Sequence, residues 1–166
     1  MLSYQCPPLR VLVVDDHELT RFSLKLAFAN QNNIELVGLA TNGKEAIEMV
    51  ERHQPDVVIL DLQMPVMDGL SASTHIKSLN PNTQIIAYSS VEDPQIEVMS
   101  QTAPIDVFCK KDTATQDLIN LVKQLGARNN NYRDSSTTKR YTEQWNKAAL
   151  SIENHKSGIF KLSLIS

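Results

Sequence analysis

Four short apolar runs each lead into a residue with reactive chemistry. VLVV (residues 11–14) is followed by Asp15-Asp16, and VVIL (57–60) by Asp61. IIAY (85–88) is followed by Ser89-Ser90, and VFC (107–109) by Lys110-Lys111-Asp112. A single aspartate after a strand is commonly just a turn former or a helix cap. An acid pair, an acid, a hydroxyl and a lysine, each after a different run, point instead to one shared site. Three carboxylates brought together repel one another unless a cation joins them. Their oxygens suit a hard divalent ion, Mg²⁺ or Mn²⁺, rather than zinc. No Cys/His set has metal-binding spacing, since His17, His53, His75 and His155 are scattered. Beside such an ion a carboxylate can act as nucleophile toward a phosphoryl group and become an acyl phosphate. A lysine ammonium would balance the developing charge, and a serine hydroxyl would donate to a phosphoryl oxygen.

The pattern around these residues predicts what holds them. Apolar runs recur at Val11–Val14, Ile34–Ala40, Val57–Leu60, Ile85–Tyr88 and Ile105–Cys109. Three are β-branched-rich and nearly continuous, as parallel strands covered on both faces should be. Helical spacing follows each run: Leu19, Phe22, Leu26 and Ala29 after the first, and Ala46, Ile47 and Val50 after the second. Leu70, His75, Ile76 and Leu79 follow the third, and Leu118, Leu121, Val122 and Leu125 the last. Glu92–Gln101 completes the series, with Pro94 placed in its first turn. Asn42-Gly43 and Asp68-Gly69 mark helix starts, and Asn80-Pro81-Asn82 marks a turn. This strand–helix alternation predicts an α/β fold with right-handed crossovers and ligands at the carboxyl ends of the strands.

Regular patterning stops at Gly126 in the sequence of 166 residues. Residues 1–126 carry nine basic and sixteen acidic residues, net −7, whereas the remainder carries seven and three, net +4. The polar stretch 127–138 reads as a linker. Residues 139–166 read as a basic tail in which Tyr141, Trp145, Ala148, Ala149 and Ile152 form one helical stripe. No apolar run approaches the ~20 residues of a membrane span. No secretory signal opens the chain, and Cys6 and Cys109 cannot build a disulfide framework, so a cytoplasmic location is expected.

LRVLVVDDHELTR, DVVILDLQMPVMDG, IIAYSS and VFCKKD together resemble the receiver domain of two-component response regulators, over residues 9–126. The resemblance implies a flavodoxin-like, doubly wound, five-stranded parallel sheet in the order 2-1-3-4-5 with helices on both faces, an order the receiver fold itself exemplifies. It implies that Asp61 accepts a phosphoryl group from a sensor histidine kinase or phosphotransfer protein. Asp15, Asp16, Asp61 and the backbone carbonyl of Gln63 would hold Mg²⁺ (or Mn²⁺). Ser89 would be the switch hydroxyl and Phe108 the switch aromatic. Of the adjacent lysines, which alternate faces in a strand, the family pattern selects Lys111, with Phe108 three residues before it. Met64-Pro65 and Asp68-Gly69 match the loop after the phosphoacceptor, and His17 and Glu18 read as helix-start residues. One departure is Gln101–Val107, which replaces the usual glycine-containing turn. Pro104 cannot supply a positive φ there.

The expected function is a phosphoacceptor switch, not an enzyme acting on a separate substrate, that signals to a downstream effector protein, with a homodimer allowed. Residues 127–166 contain no recognisable output domain. DNA binding through the basic tail is the alternative reading and is not favoured, because the charge is modest and unclustered. An aspartyl-phosphate phosphatase ranks lower, since it wants an Asp-x-Asp signature where this chain has adjacent acids. A flavin phosphate site would need a Gly/Ser-rich loop in the same place.

Overall fold

The computed structural model describes residues 6–90, 102–133 and 159–161. Its elements are β1 (Leu9–Val14), α1 (Glu18–Ala29), β2 (Ile34–Ala40), α2 (Gly43–His53), β3 (Val57–Leu60) and α3 (Gly69–Leu79). They continue with β4 (Gln84–Ser89), β5 (Val107–Lys110), α4 (Thr115–Arg133) and β6 (Ile159–Lys161). Five parallel strands lie in the order β2-β1-β3-β4-β5, as the resemblance to receiver domains implies. A sixth, β6, runs antiparallel along the outer edge of β5. The apolar run 159–166 carries no period that decides its state, and of it residues 159–161 pair with the β5 backbone.

Both faces of the sheet are buried, which is why β1 and β3 are apolar almost without interruption. Leu9, Val11, Val13, Ile59 and Tyr88 pack with Leu24 and Phe28 of α1 and Leu118, Val122 and Leu125 of α4. On the opposite face Leu12, Val14, Val58, Leu60 and Phe108 pack with Ala46 and Val50 of α2 and Ala72 and Ile76 of α3. The chain thus winds to both sides of β1, where the strand order reverses.

Two sequence expectations are corrected. The stripe Leu19, Phe22, Leu26 and Ala29 does not face the core. Leu24 and Phe28 do, while Leu19, Phe22 and Leu26 are 80%, 56% and 53% exposed. Helix α1 has two apolar stripes, and spacing alone cannot say which one the sheet takes. The boundary after Gly126 also moves, because α4 continues through Arg133. Gly126 is not a helix stop: a Cβ there would lie 2.5 Å from a Leu9 methyl carbon, so glycine lets α4 approach β1 closely. Asn129, one turn later, is buried and its amide donates to the Asp56 carbonyl. The expected helices at 92–101 and 139–155, and the linker beyond Arg133, lie outside the described residues.

The turn into β5 dispenses with glycine. The Ile105 N–H donates to the Ala103 carbonyl at 2.8 Å, closing a three-residue turn around Pro104. The inverse γ-turn needs a central φ near the value the proline ring enforces. The amino ends of the strands are held by buried or half-buried polar groups. Asp56 accepts from the Arg10 N–H, Thr83 Oγ1 donates to the Pro55 carbonyl, and Asp106 takes the Ile85 N–H and the Lys77 ammonium.

Helix α3 begins where the site loop ends, and two residues there set its stability. Asp68 is the N-cap, accepting from the Ser71 N–H and hydroxyl. Burial pushes its carboxyl up, but those hydrogen bonds outweigh burial and hold it below the usual range. Its stabilisation is therefore full above the ordinary aspartate value and is lost as pH falls through the lowered one. Asp68→Ala should cost about 1 kcal/mol at neutral pH, shrinking toward zero in acid, by urea unfolding across pH. Gly69 admits no side chain, since a Cβ would fall 2.1 Å from the Asp61 carbonyl oxygen. Gly69→Ala should lower the unfolding free energy by about 3 kcal/mol or more in the same assay, because backbone, not a flexible side chain, must yield.

Candidate functional site

The sheet's own hydrogen-bond ladder delivers the reactive residues. The Asp15 N–H donates to the Ala40 carbonyl, the Asp61 N–H to the Val14 carbonyl and the Lys111 N–H to the Ser89 carbonyl, at 3.1, 2.8 and 3.0 Å. Each residue thus makes the last rung between neighbouring parallel strands, and its side chain is fixed at the carboxyl edge.

Asp15 and Asp61 are almost wholly buried, at 1% and 3% exposure. The Lys111 ammonium lies between them, 2.7 Å from Asp15 Oδ2 and 2.9 Å from Asp61 Oδ2. The Gln63 N–H donates to Asp61 Oδ1 at 3.1 Å, so both oxygens of that carboxylate are held. Burial, the largest influence, pushes the Asp61 carboxyl above its usual range, and the Asp15 charge adds to this; Lys111 and the Gln63 N–H oppose it without prevailing. Burial would lower the Lys111 ammonium, but its two carboxylate partners outweigh burial and raise it, so the cation persists. Asp16 is the more accessible acid.

The set fits a hard cation. Donor atoms of Asp15, Asp16, His17 and Asp61 all lie within 4.8 Å of one another. Asp15 Oδ2 and Asp16 Oδ1 are sealed from water yet accept no well-formed hydrogen bond. Among the described residues, the Lys111 ammonium and the His17 ring stand beside them. One ammonium facing three carboxylates leaves a net negative pocket, which a divalent ion with oxygen preference would neutralise.

Of the sequence-predicted residues, Asp15, Asp16, Asp61, Gln63 and Lys111 are brought together. Lys111, not Lys110, reaches the acids; Lys110 stays in the ladder opposite Ser89. Ser89 is buried at the last position of β4. Phe108 is buried opposite Ala87, on the face covered by α2 and α3. Three further residues touch the site. The His17 ring lies against both Asp15 and Asp16. The Arg21 guanidinium donates to the Asp15 carbonyl at 2.7 Å. The Tyr88 hydroxyl donates to the Lys111 carbonyl at 3.3 Å, and its ring centre is 6.0 Å from the Lys111 ammonium. Position in sequence offered a signal for the first two: His17 adjoins the acid pair, and Arg21 follows one helical turn later.

Comparison with known proteins agrees with the geometry. Residues 11–123 match the response regulator receiver domain. The uncharacterized transcriptional regulatory protein YhcZ of Bacillus subtilis is 35% identical over 111 residues, which is 67% of this chain and 52% of that protein. The response regulator protein VraR of Staphylococcus aureus is 34% identical over 117 residues, 70% of this chain and 56% of that protein. The chain therefore spans about half the length of the curated relatives it matches. In a crystal structure described as a CheX–CheY–BeF₃–Mg²⁺ complex from Borrelia burgdorferi, the matching chain is 26% identical with a TM-score of 0.65. The match covers 72% of this chain and 90% of that one. Among the described residues no helix is long and apolar enough to cross a membrane. Strand order, the acid–lysine edge and a match spanning most of the sheet lead to one conclusion: this chain belongs to the response regulator receiver domain family, the phosphoacceptor switches of two-component signalling.

Proposed function

We propose that the protein is switched by phosphorylation of Asp61 within a two-component phosphorelay. The observation that supports this best is the single ammonium of Lys111 shared by Asp15 and Asp61, with Asp16 beside them. A carboxylate oxygen of Asp61 attacks the phosphorus of a phosphohistidine on a histidine kinase or phosphotransfer protein. The new P–O bond forms as the P–N bond breaks, and the departing imidazole takes a proton from water. The Gln63 N–H and the Lys111 ammonium, on opposite oxygens, orient the attacking carboxylate, and Lys111 then balances charge on the phosphoryl oxygens. Asp15, Asp16, Asp61 and the Gln63 carbonyl would hold Mg²⁺ or Mn²⁺, which supplies positive charge toward the incoming phosphoryl group when bound. The Borrelia complex, with its Mg²⁺ and BeF₃, supports that assignment by likeness. No separate substrate is turned over.

Phosphorylation adds charge and acceptor oxygens at the edge of β3. The Ser89 hydroxyl turns toward them and Phe108 repacks behind it, so that an effector protein reads the altered surface. A location in the cytoplasm, beside such partners, follows from this reading. Transcriptional output through the basic tail remains the second reading, and it rests on residues 139–166, of which only 159–161 are described.

Incubation with Mg²⁺ and acetyl phosphate should give an acid-stable, base-labile phosphoprotein that Asp61→Asn abolishes. A wild-type chain that binds Mg²⁺ but takes no label would overturn the proposal, and steady turnover of phosphate esters would favour the phosphatase instead. Access by a protein donor is a separate matter. The exposed stripe Leu19, Phe22 and Leu26 lies on the helix that starts beside the acids, which supports docking of the phosphodonor across α1. The double variant Leu19→Ser, Phe22→Ser should label normally from acetyl phosphate. It should accept phosphate from its phosphohistidine protein about tenfold more slowly, since exposed apolar anchors carry much of such binding.

A further inference from the structure

Of the five parallel strands β5 is outermost on one side, and β6 lies along its outer edge. Ile159 pairs with Cys109, Phe160 with Phe108 and Lys161 with Val107, antiparallel. An open edge offers a row of unpaired backbone N–H and C=O groups, and proteins commonly cover it. Here the cover comes from residues beyond α4 in the chain. It is three residues long, so few backbone hydrogen bonds hold it, and such an element opens at low cost. Its position ties it to the acid site. On the other side of β5, Phe108 lies opposite Ala87 and Lys110 opposite Ser89 of β4. Antiparallel pairing sets the first residue of β6 beside Cys109, close to Lys111 in sequence. The Lys111 N–H is bonded to the Ser89 carbonyl, and its ammonium to Asp15 and Asp61. The β5 that receives β6 is thus one whose carboxyl end is held by bare acids. A phosphoryl group on Asp61 offers new oxygens to Lys111 and Ser89, and the end of β5 shifts with them.

We propose that the outer edge of β5 is a strand-docking surface filled by residues 159–161 of this chain, and that phosphorylation of Asp61 loosens that docking. The inference rests on the reading of Asp61 as the phosphoacceptor. Strand β6 favours the unphosphorylated β5, so by linkage its pairing disfavours the phosphorylated state to the same degree. Release bares the β5 backbone beside Phe108 and so changes the surface that an effector meets.

Amide hydrogen exchange is followed in the full chain with Mg²⁺, before and after saturation with BeF₃⁻, which stands in for a phosphoryl group on the aspartate. Before saturation the amides of residues 159–161 should exchange more slowly than those of an unstructured peptide. Saturation should speed their exchange about fivefold or more, the lower end of typical coupling between sites. The double variant Ile159→Pro, Phe160→Pro removes two successive N–H donors. Successive residues alternate in facing the partner strand, so one of the two serves β5 whichever way β6 is turned. This variant should exchange faster across residues 107–109 and bind BeF₃⁻ more tightly by the same factor. Its β1 and β3 amides should stay protected, which shows that it is folded. Ile159→Val, Phe160→Tyr keeps strand-forming side chains and should match wild type. Four results would each overturn the inference and leave Asp61 as the phosphoacceptor: residues 159–161 exchanging as freely as a peptide, exchange unchanged or slowed by bound BeF₃⁻, a proline variant with wild-type BeF₃⁻ affinity, or a conservative variant that behaves like the proline one. A wild type that neither binds BeF₃⁻ nor takes label from acetyl phosphate would overturn the phosphoacceptor reading and this inference with it.

Discussion

Everything at the carboxyl edge of this sheet answers to the repulsion among acids held too close for water to screen them. Two like charges about 4 Å apart at a protein surface cost on the order of 4 kcal/mol. Asp15 and Asp61 are more deeply buried than that case, and Asp16 adds a third carboxylate. A single ammonium, Lys111, stands against them at 2.7 and 2.9 Å. The balance stays negative, and burial keeps the Asp61 carboxyl above its usual range despite the lysine. Such a pocket favours whatever brings positive charge. Once neutralised, it can receive a phosphoryl group that the bare acids would repel.

The fold tolerates this repulsion because the two ends of the sheet have different tasks. At the amino ends, Asp56, Thr83 and Asp106 are committed to backbone partners and one lysine, so polar groups there hold strands together. Between the ends lies an apolar core on both faces. At the carboxyl ends the ladder's final rungs fix the backbones of Asp15, Asp61 and Lys111. The acids therefore cannot relieve their repulsion by moving apart.

Much of this was legible in the residues. The strands announce themselves because burial on both faces demands continuous β-branched sequence, and every acid and the lysine could be placed from where those runs stop. Lys111 over Lys110 needed the family pattern, since alternation separates their faces without saying which face the acids share. Other features depend on tertiary choices that no local pattern encodes. Helix α1 offers two apolar stripes, and only contact with β1 selects Leu24 and Phe28 over Leu19, Phe22 and Leu26. Gly126 resembles a helix stop, but its lack of a side chain serves contact with Leu9. Tyr88 reads as a core residue and is one, yet its hydroxyl also reaches the Lys111 backbone.

The loop between Asp61 and α3 carries the local strain of the site. Val66 has φ 71°, where a β-branched residue is rarely found, and the Met67 N–H reaches back to the Pro65 carbonyl at 2.8 Å. This is the positive-φ γ-turn, the strained form. It is over-determined by its surroundings: the Met67 carbonyl accepts from the Gly43 N–H of α2, and the Gly69 N–H donates to the Leu62 carbonyl. The loop is thus tied to α2 on one side and to the residue after Asp61 on the other. Strain of this kind survives only where neighbours hold it, and it collects where geometry matters to function. Here those ties also keep the Gln63 N–H on Asp61 Oδ1, so the same contacts that hold Val66 in a costly conformation aim the carboxylate that the site is built around.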